Sequence, residues 1–542
     1  MKTGKLSQKL VKYTASVLTA ALLASSLAGC GGGNTATTAA SQENQTEASG
    51  TGETSAAAEA ETSAERITKD ALRVAFRNEP NTMDPTGSTS LTAFAICYEI
   101  FDRLIEDNGD GTFSPSLAES WEQVDDLTMR FHLRDDVYFH NGEKMTAEDV
   151  VYSIARAETS SYSSSYFGYF NGAACEAVDD TTVDLKVYEP FAPMLKYLAS
   201  ARGSIVCKSD VESRGVETFG REPIGTGKFK FESWESGSEL VVAKNENYWG
   251  DNDAPFDKIV NRFITDTSTR AIEVESGGVD IAFHIGETDA ARLESGSNTK
   301  VQIGPSYNTF MIRFDTVYSD VFSDVNVRKA MRMALDMPSI VNAVYGTSAT
   351  VATSFFSDQI IGHKAVGPEK YDPEGAKKLL EESGFDLSKT YTIYSGNDNT
   401  QIAVLEAVTN QWKQVGLNVE ISVMDSATLS TAIRDCTGTT YLVTSSTNAT
   451  TGDPDHGLFV YKGSDCTTHK DQKAFDMIAA AVQEYDTDKR RQMYEEIQDY
   501  LWDMCVTIPV AYTSVIYGTG SDVAGLPTDP GYTPDLTKVY FE

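Results

Sequence analysis

YTIYSGNDNTQIAVLEAVTNQWKQVGLNVEISVMDSATLSTAIRDCTGTTYLVTSSTNATTGDPDHG, residues 391–457, carries two periodicities in alternation. Tyr391-Thr392-Ile393-Tyr394 reads as a strand. Residues 401–414 read as a helix, stopped by Gly416. Leu417 to Val423 alternates apolar and polar side chains, as a strand does. Ala427 to Arg434 reads as a short helix, and Thr440-Tyr441-Leu442-Val443 as a third strand. The order β-α-β-α-β is the signature of a parallel sheet whose crossovers are helices. Open sheets of that kind take ligands in a crevice at the carboxyl ends of their strands. The last part, TSSTNATTGDPDHG from Thr444 to Gly457, begins at such an end. It has no aromatic residue and no lysine or arginine, and its position predicts a cleft loop rather than an ordinary surface turn.

The N-terminus carries Lys2, Lys5, Lys9 and Lys12, then an apolar run from Ala15 to Ala24, then Leu27-Ala28-Gly29-Cys30. A basic head, a short apolar core and small residues before a cut site describe a secretory signal. The run is too short to remain as a membrane span. Leu27-Ala28-Gly29-Cys30 resembles the lipobox of bacterial lipoproteins. That resemblance implies cleavage before Cys30 and lipid on its thiol and amino group; an ordinary cut near Ala28 is the alternative. Residues 31–65 contain no aromatic residue, no Leu, Ile or Val, and no positive charge. Such a segment cannot bury enough apolar surface to offset its ordering entropy, and it reads as a disordered tether to a soluble body.

The chain has 45 basic and 79 acidic residues, a formal charge of −34. Removing the four signal lysines takes −34 to −38. This balance argues against nucleic acid, whose phosphates demand Lys and Arg. Beyond Cys30 the cysteines are Cys97, Cys175, Cys207, Cys436, Cys466 and Cys505, with no C-x-x-C pair. An exported chain can oxidise them, and Cys436 and Cys466 are candidates for a bridge; buried free thiols are the alternative. Asp107-Asn108-Gly109-Asp110-Gly111 opens like a calcium loop but lacks the closing carboxylate, and reads as a hairpin turn. Gly225-Thr226-Gly227-Lys228 lacks the first glycine and the Ser or Thr of a phosphate loop. There is no G-x-S-x-G elbow, Ser297-x-x-Lys300 lacks its companion motifs, and the six histidines never pair at metal-ligand spacing. No enzyme, cofactor or metal is expected.

At LAESWEQVDDLTMRFHLRDDVYFHNGEKMTAEDVVYSIARA, residues 117–157, the chain resembles the extracytoplasmic solute-binding proteins that include the oligopeptide and dipeptide binders (family 5). These are lipoprotein or periplasmic receptors for ABC importers. The likeness continues through Pro223 to Gly227, Asn245 with Tyr248-Trp249-Gly250, Gly277 to Asp280, Val327 to Ala330 and Tyr371-Asp372-Pro373. It implies an α/β fold of the type II periplasmic-binding-protein kind. Two lobes are joined by crossing strands near Phe310 to Phe314 and Val510 to Ser514, with an extra subdomain in the first lobe. The expected segments are a signal at 1–29, a lipidated cysteine and tether at 30–65, first lobe at 66–101, subdomain at 102–221, first lobe again at 222–313, second lobe at 314–513, and first lobe at 514–542. The resemblance also implies a membrane-tethered, monomeric receptor on the extracytoplasmic face. It would close around a small ligand, on the family's pattern a short peptide, and deliver it to an ABC permease. A glycan or a metal chelate is the competing ligand class; an extracellular hydrolase or a signalling receptor is the competing role.

In the peptide binders, the loop after the third strand carries a tryptophan and, three residues on, an aspartate that grips the peptide's amino group. Aligned on Asp453-Pro454-Asp455, those positions fall on Thr447 and Thr450, which cannot supply a charge-assisted bond. Asp453 and Asp455 stand nearby as substitutes. The other wall positions implied are Thr89 and Leu91, then Tyr307 and Asn308 on the approach to the first crossing strand, then Arg434, Thr444 and Tyr512. The run Tyr162 to Phe170 reads either as an adaptable contact surface or as subdomain packing.

Overall fold

A computed structural model describes residues 67–317, 320–425, 428–429, 442–462, 469–531 and 533–542. Its largest element is an eleven-stranded sheet. From one edge the order is Asn418–Val423, Thr390–Ser395, Leu442–Asn448, Thr299–Phe314, Thr507–Gly520, Ile281–Phe283, Ala71–Phe76, Lys258–Phe263, Glu239–Lys244 and Phe229–Glu235, with Ala349–Val351 also paired to Thr507–Gly520. The expected β-α-β is present: Thr390–Ser395 and Asn418–Val423 run parallel, joined by the helix Asn399–Gln414. Gly416, at φ +89°, takes the chain out of that helix. The expected helix Ala427–Arg434 lies almost wholly outside the described residues. The third strand is longer than expected. Its residues 442–448 pair antiparallel with Thr299–Phe314, from Phe314 opposite Leu442 to Asn308 opposite Asn448. The stretch expected to be a loop from Thr444 is therefore strand until Asn448, and the loop starts at Ala449.

Two long strands cross the whole sheet. Thr299–Phe314 and Thr507–Gly520 pair antiparallel from Thr299 opposite Gly520 to Arg313 opposite Thr507. The ladder breaks between Pro305 and Thr309, where proline has no N–H to donate. Each side of the break feeds a different core. Val515 and Tyr517 pack with Leu72, Val74, Phe76, Ile259 and Ile281, whereas Ile508 and Val510 pack with Ile312, Phe314, Ile393 and Leu442.

Between the strands Ala71–Phe76 and Phe229–Glu235 the chain builds a separate antiparallel sheet, ordered Ala118–Asp125, Thr128–Leu133, Thr182–Lys186, Glu176–Asp179. The helix Ala147–Thr159 covers it with Val150, Ile154 and Ala157. It starts in a capping box, Asp149 accepting from the Thr146 N–H at 2.9 Å. This inserted unit has its own core, including Phe131, Phe167, Phe170, Leu185 and Phe191. The Asp107 to Gly111 segment joins the hairpin Ile105–Asp107 and Phe113–Pro115.

Gly225 and Gly227, which superficially suggested a phosphate loop, have a packing role. A Cβ at either would stand 2.1 or 2.6 Å from the Ile100 carbonyl oxygen. Beside them His140 accepts from the Gly225 N–H at 3.3 Å through Nδ1, so Nε2 carries the proton and donates to the Gly227 carbonyl at 3.0 Å. Burial pushes this imidazole down to about 4. Among the described residues no helix is long and apolar enough to cross a membrane.

Candidate functional site

A cavity of 1180 Å³ lies between the inserted unit and residues 89–94 on one side and the second half of the chain on the other. Thr89 and Leu91 open its first wall, and Phe94 follows one turn later on the helix Leu91–Ile100. Ser90 caps that helix by accepting from the Ala93 N–H at 3.4 Å. The second wall is Tyr162, Ser165, Tyr166 and Tyr169. These fall at helical spacing on one face of the run Tyr162 to Phe170, while Ser163, Phe167 and Phe170 on the other are buried. The run therefore packs with one face and lines the cavity with the other. The third wall comes from Thr450, His456, Phe459 and Lys462 and from one face of the helix Gln472–Gln483, notably Phe475 and Ala479.

Aromatic and cationic groups form a stack from one side to the other. The ring of Phe459 lies 5.9 Å from His456, and His456 lies 4.3 Å from Tyr166. The Arg202 guanidinium sits 3.9 Å over Tyr166 and 4.3 Å over Phe94. Hydrogen bonds also span the cleft. Tyr197 donates to Asp455 at 2.8 Å, and Gln483 donates to Glu189 at 2.9 Å. The Ala192 N–H donates to the Val482 carbonyl at 2.9 Å, and the Tyr166 hydroxyl lies 3.4 Å from that of Thr450. The two sides are closed on each other.

The paired aspartates of the Asp453-Pro454-Asp455 motif are both engaged. Arg490 holds Asp453 bidentately at 2.8 and 2.9 Å, and Asp453 caps the short helix Pro454–Gly457 by accepting from the Asp455 N–H. Asp455, fully buried, accepts from Lys462, from Tyr197 and, at 3.4 Å, from Tyr169. Burial alone would lower the Lys462 pKa, but Asp455 and Tyr169 outweigh it and leave it raised. Burial, reinforced by Asp455, pushes the Tyr197 hydroxyl well above its ordinary range. Neither aspartate is left over to replace the missing amino-group ligand.

Of the expected wall residues, Thr89, Leu91 and Thr450 line the cavity. Three others are used elsewhere. Thr444 is buried inside the sheet and donates to Ser395 at 3.2 Å. Asn308 donates to the Thr513 hydroxyl at 3.0 Å. The Tyr512 hydroxyl accepts from the N–H groups of Thr353 and Ser354 at 3.2 and 2.8 Å and contacts His363 at 3.1 Å, so it anchors a loop. Tyr307 packs its ring over Gly452, whose φ is +66° and where a Cβ would meet the hydroxyl at 2.8 Å. It supports the loop without lining the cavity. Thr447 pairs with Thr309 in the ladder. Cys30, Arg434 and the proposed partners Cys436 and Cys466 lie outside the described residues, while Cys97, Cys175, Cys207 and Cys505 are free thiols. The sequence reading missed Arg202, His456, Phe459 and Lys462. The helical spacing of the tyrosine run was the one visible signal for this region.

The model of the bacterial extracellular solute-binding proteins, family 5 (middle region), matches residues 112–468. The glutathione-binding protein GsiB of Escherichia coli O1:K1 / APEC is 26% identical over 467 residues, covering 83% of this chain and 91% of that protein. Among solved structures, the ABC transporter substrate-binding protein CtaP from Listeria monocytogenes matches with a TM-score of 0.79 at 22% identity, covering 88% of this chain and 100% of the other. The periplasmic binding protein DppA from Helicobacter pylori, in complex with the peptide STSA, matches at 0.74 and 24% identity, covering 87% and 98%.

Proposed function

The chain belongs to the bacterial extracellular solute-binding proteins of family 5, and from that premise we propose that it captures a short peptide or peptide-like solute in the cleft described above. It is a receptor of the ABC-importer class rather than an enzyme, and it works by binding and lobe closure. The permease is its downstream partner. The observation that carries this reading is the 1180 Å³ cavity between the two sides, roomy enough for a small-molecule ligand and walled by aromatic rings. The relatives' ligands, glutathione for GsiB and a tetrapeptide for DppA, favour a peptide over a glycan.

We further propose that Cys30 carries lipid and that residues 31–65 tether a monomeric body to the extracytoplasmic face. The proposed segments remain a first lobe at 66–101, 222–313 and 514–542, an inserted subdomain at 102–221 and a second lobe at 314–513. Thr89, Leu91 and Thr450 are the proposed contacts from the expected set.

Native mass spectrometry of the purified protein tests the ligand. Added masses matching short peptides are expected, either retained from expression or acquired from a peptide digest. Retention of a sugar or a metal chelate, with no peptide bound from the digest, would refute the peptide reading.

A further inference from the structure

We infer that Arg202 is the anion-recognising group of the cleft, and that the solute it selects carries a carboxylate beside an apolar body. This rests on the cleft being the solute site. Arg202 is 6% exposed, yet it forms part of the cavity wall. Among the described residues no carboxylate pairs with it, and its Nε is buried without an acceptor. Burial pushes its pKa below the usual arginine value, and the groups opposing that are the tyrosines Tyr166, Tyr98 and Tyr197 rather than any acid.

Two other buried arginines are saturated. Arg328 donates to the carbonyls of Cys505, Phe322, Ser323 and Met504, and Arg270 to those of Phe283, Ile264, Thr265 and His284. Arg490 has Asp453. A desolvated charge with no acid beside it is costly, and Tyr166 and Phe94, whose rings sandwich Arg202, offset only part of that cost. A ligand carboxylate would supply the missing acceptors in the geometry a guanidinium prefers.

Arg202 is also the cation available for this role. Lys462 is held by Asp455, and Arg313, the other arginine on the wall, has an interaction of its own. The two carboxylates on the wall, Glu189 and Asp476, are exposed and accept from Gln483 and Gln472. The cavity wall also carries the apolar side chains Phe459, Phe475 and Ala479. A chain of formal charge −34 repels anions at long range, so a local cation has to select them. A single guanidinium between rings suits a monoanion better than a phosphate dianion.

Hexanoate, hexanamide, hexylamine and hexyl phosphate serve as probes, each assayed by thermal shift and calorimetry against the wild-type protein and the R202K and R202Q variants. On the wild type, hexanoate is expected to bind at least about tenfold more tightly than hexanamide or hexylamine, the loss seen for one charge-assisted bond. R202Q is expected to abolish the preference and R202K to keep part of it. The inference is overturned if hexanoate gives no stabilisation, if hexylamine or hexyl phosphate binds better, or if folded R202Q keeps the preference. The wild-type comparison needs no variant to fold. A protein that takes peptides from a digest but ignores hexanoate refutes Arg202 alone; one that takes no solute at all refutes the cleft reading beneath it.

Discussion

Glu99 sits fully buried on the helix Leu91–Ile100, accepting from the Asn261 amide at 3.0 Å through one oxygen. Its other oxygen has no partner among the described residues. Burial pushes this carboxyl well above its ordinary value of 4.5. Below that pH the group is protonated whether the chain is folded or not. Above it the unfolded chain releases the proton while the folded one resists, so stability falls as pH rises toward the folded value. Glu99→Gln removes that penalty. Urea denaturation across pH should show the variant gaining on the wild type from about pH 4.5 upward; a difference independent of pH would refute the assignment. No sequence pattern distinguishes Glu99 from the other acidic residues, because the penalty arises from neighbours distant in the chain. The same holds at Arg202. An arginine in Ala199-Ser200-Ala201-Arg202-Gly203 reads as a solvated charge, and only the approach of Phe94 and Tyr166 makes it a buried one.

At the scale of elements, the residues that carry the family likeness turn out to hold the scaffold. Tyr248 and Trp249 donate to buried Asp102 at 3.3 and 2.9 Å, and Asn245 donates to the Gly227 carbonyl at 3.1 Å. Asp372 caps the helix Pro373–Glu382, and Asp280 accepts from Lys69 and from the Arg73 N–H. Such positions repeat wherever the fold repeats, which is why the strands and the helix Asn399–Gln414 were legible. The end of Leu442–Asn448 was not. Its small polar residues look like a turn, and pairing with Thr299–Phe314 overrides that preference. The same loop supplies the closure contacts. Tyr197 on the inserted unit meets Asp455 across the cleft, so their hydrogen bond belongs to the closed form. Bonds to a charged group contribute roughly 1.5–3 kcal/mol. Tyr197→Phe should therefore weaken solute binding about tenfold or more by favouring the open form. Calorimetry with the retained solute measures this; an unchanged affinity would show that closure does not depend on the contact.

Over the whole molecule, the crossing strands prevent the two halves from being independent. Thr507–Gly520 contributes side chains to both large cores and Thr299–Phe314 pairs with it on both sides of the break, so loss of one core strips strand partners from the other. Unfolding should be a single transition by every probe. Trp412 reports on the second core, where its indole donates to the Met331 carbonyl at 2.8 Å, and Trp234 packs against the first. Single-tryptophan variants retaining one or the other should show coincident urea midpoints. Separate midpoints would mean that the halves melt as modules.

Thr507–Gly520 follows every other strand of the large sheet in chain order, which affects the order in which the cores can form. This strand lies in the middle of the sheet, between Thr299–Phe314 and Ile281–Phe283, and the first core is completed by Leu536, Val539 and Phe541. Both cores must wait for contacts separated by hundreds of residues, which slows folding. A nascent chain released as far as residue 500 has neither core finished. Until residues 507–541 have been added, the chain stays without a finished core and so remains threadable.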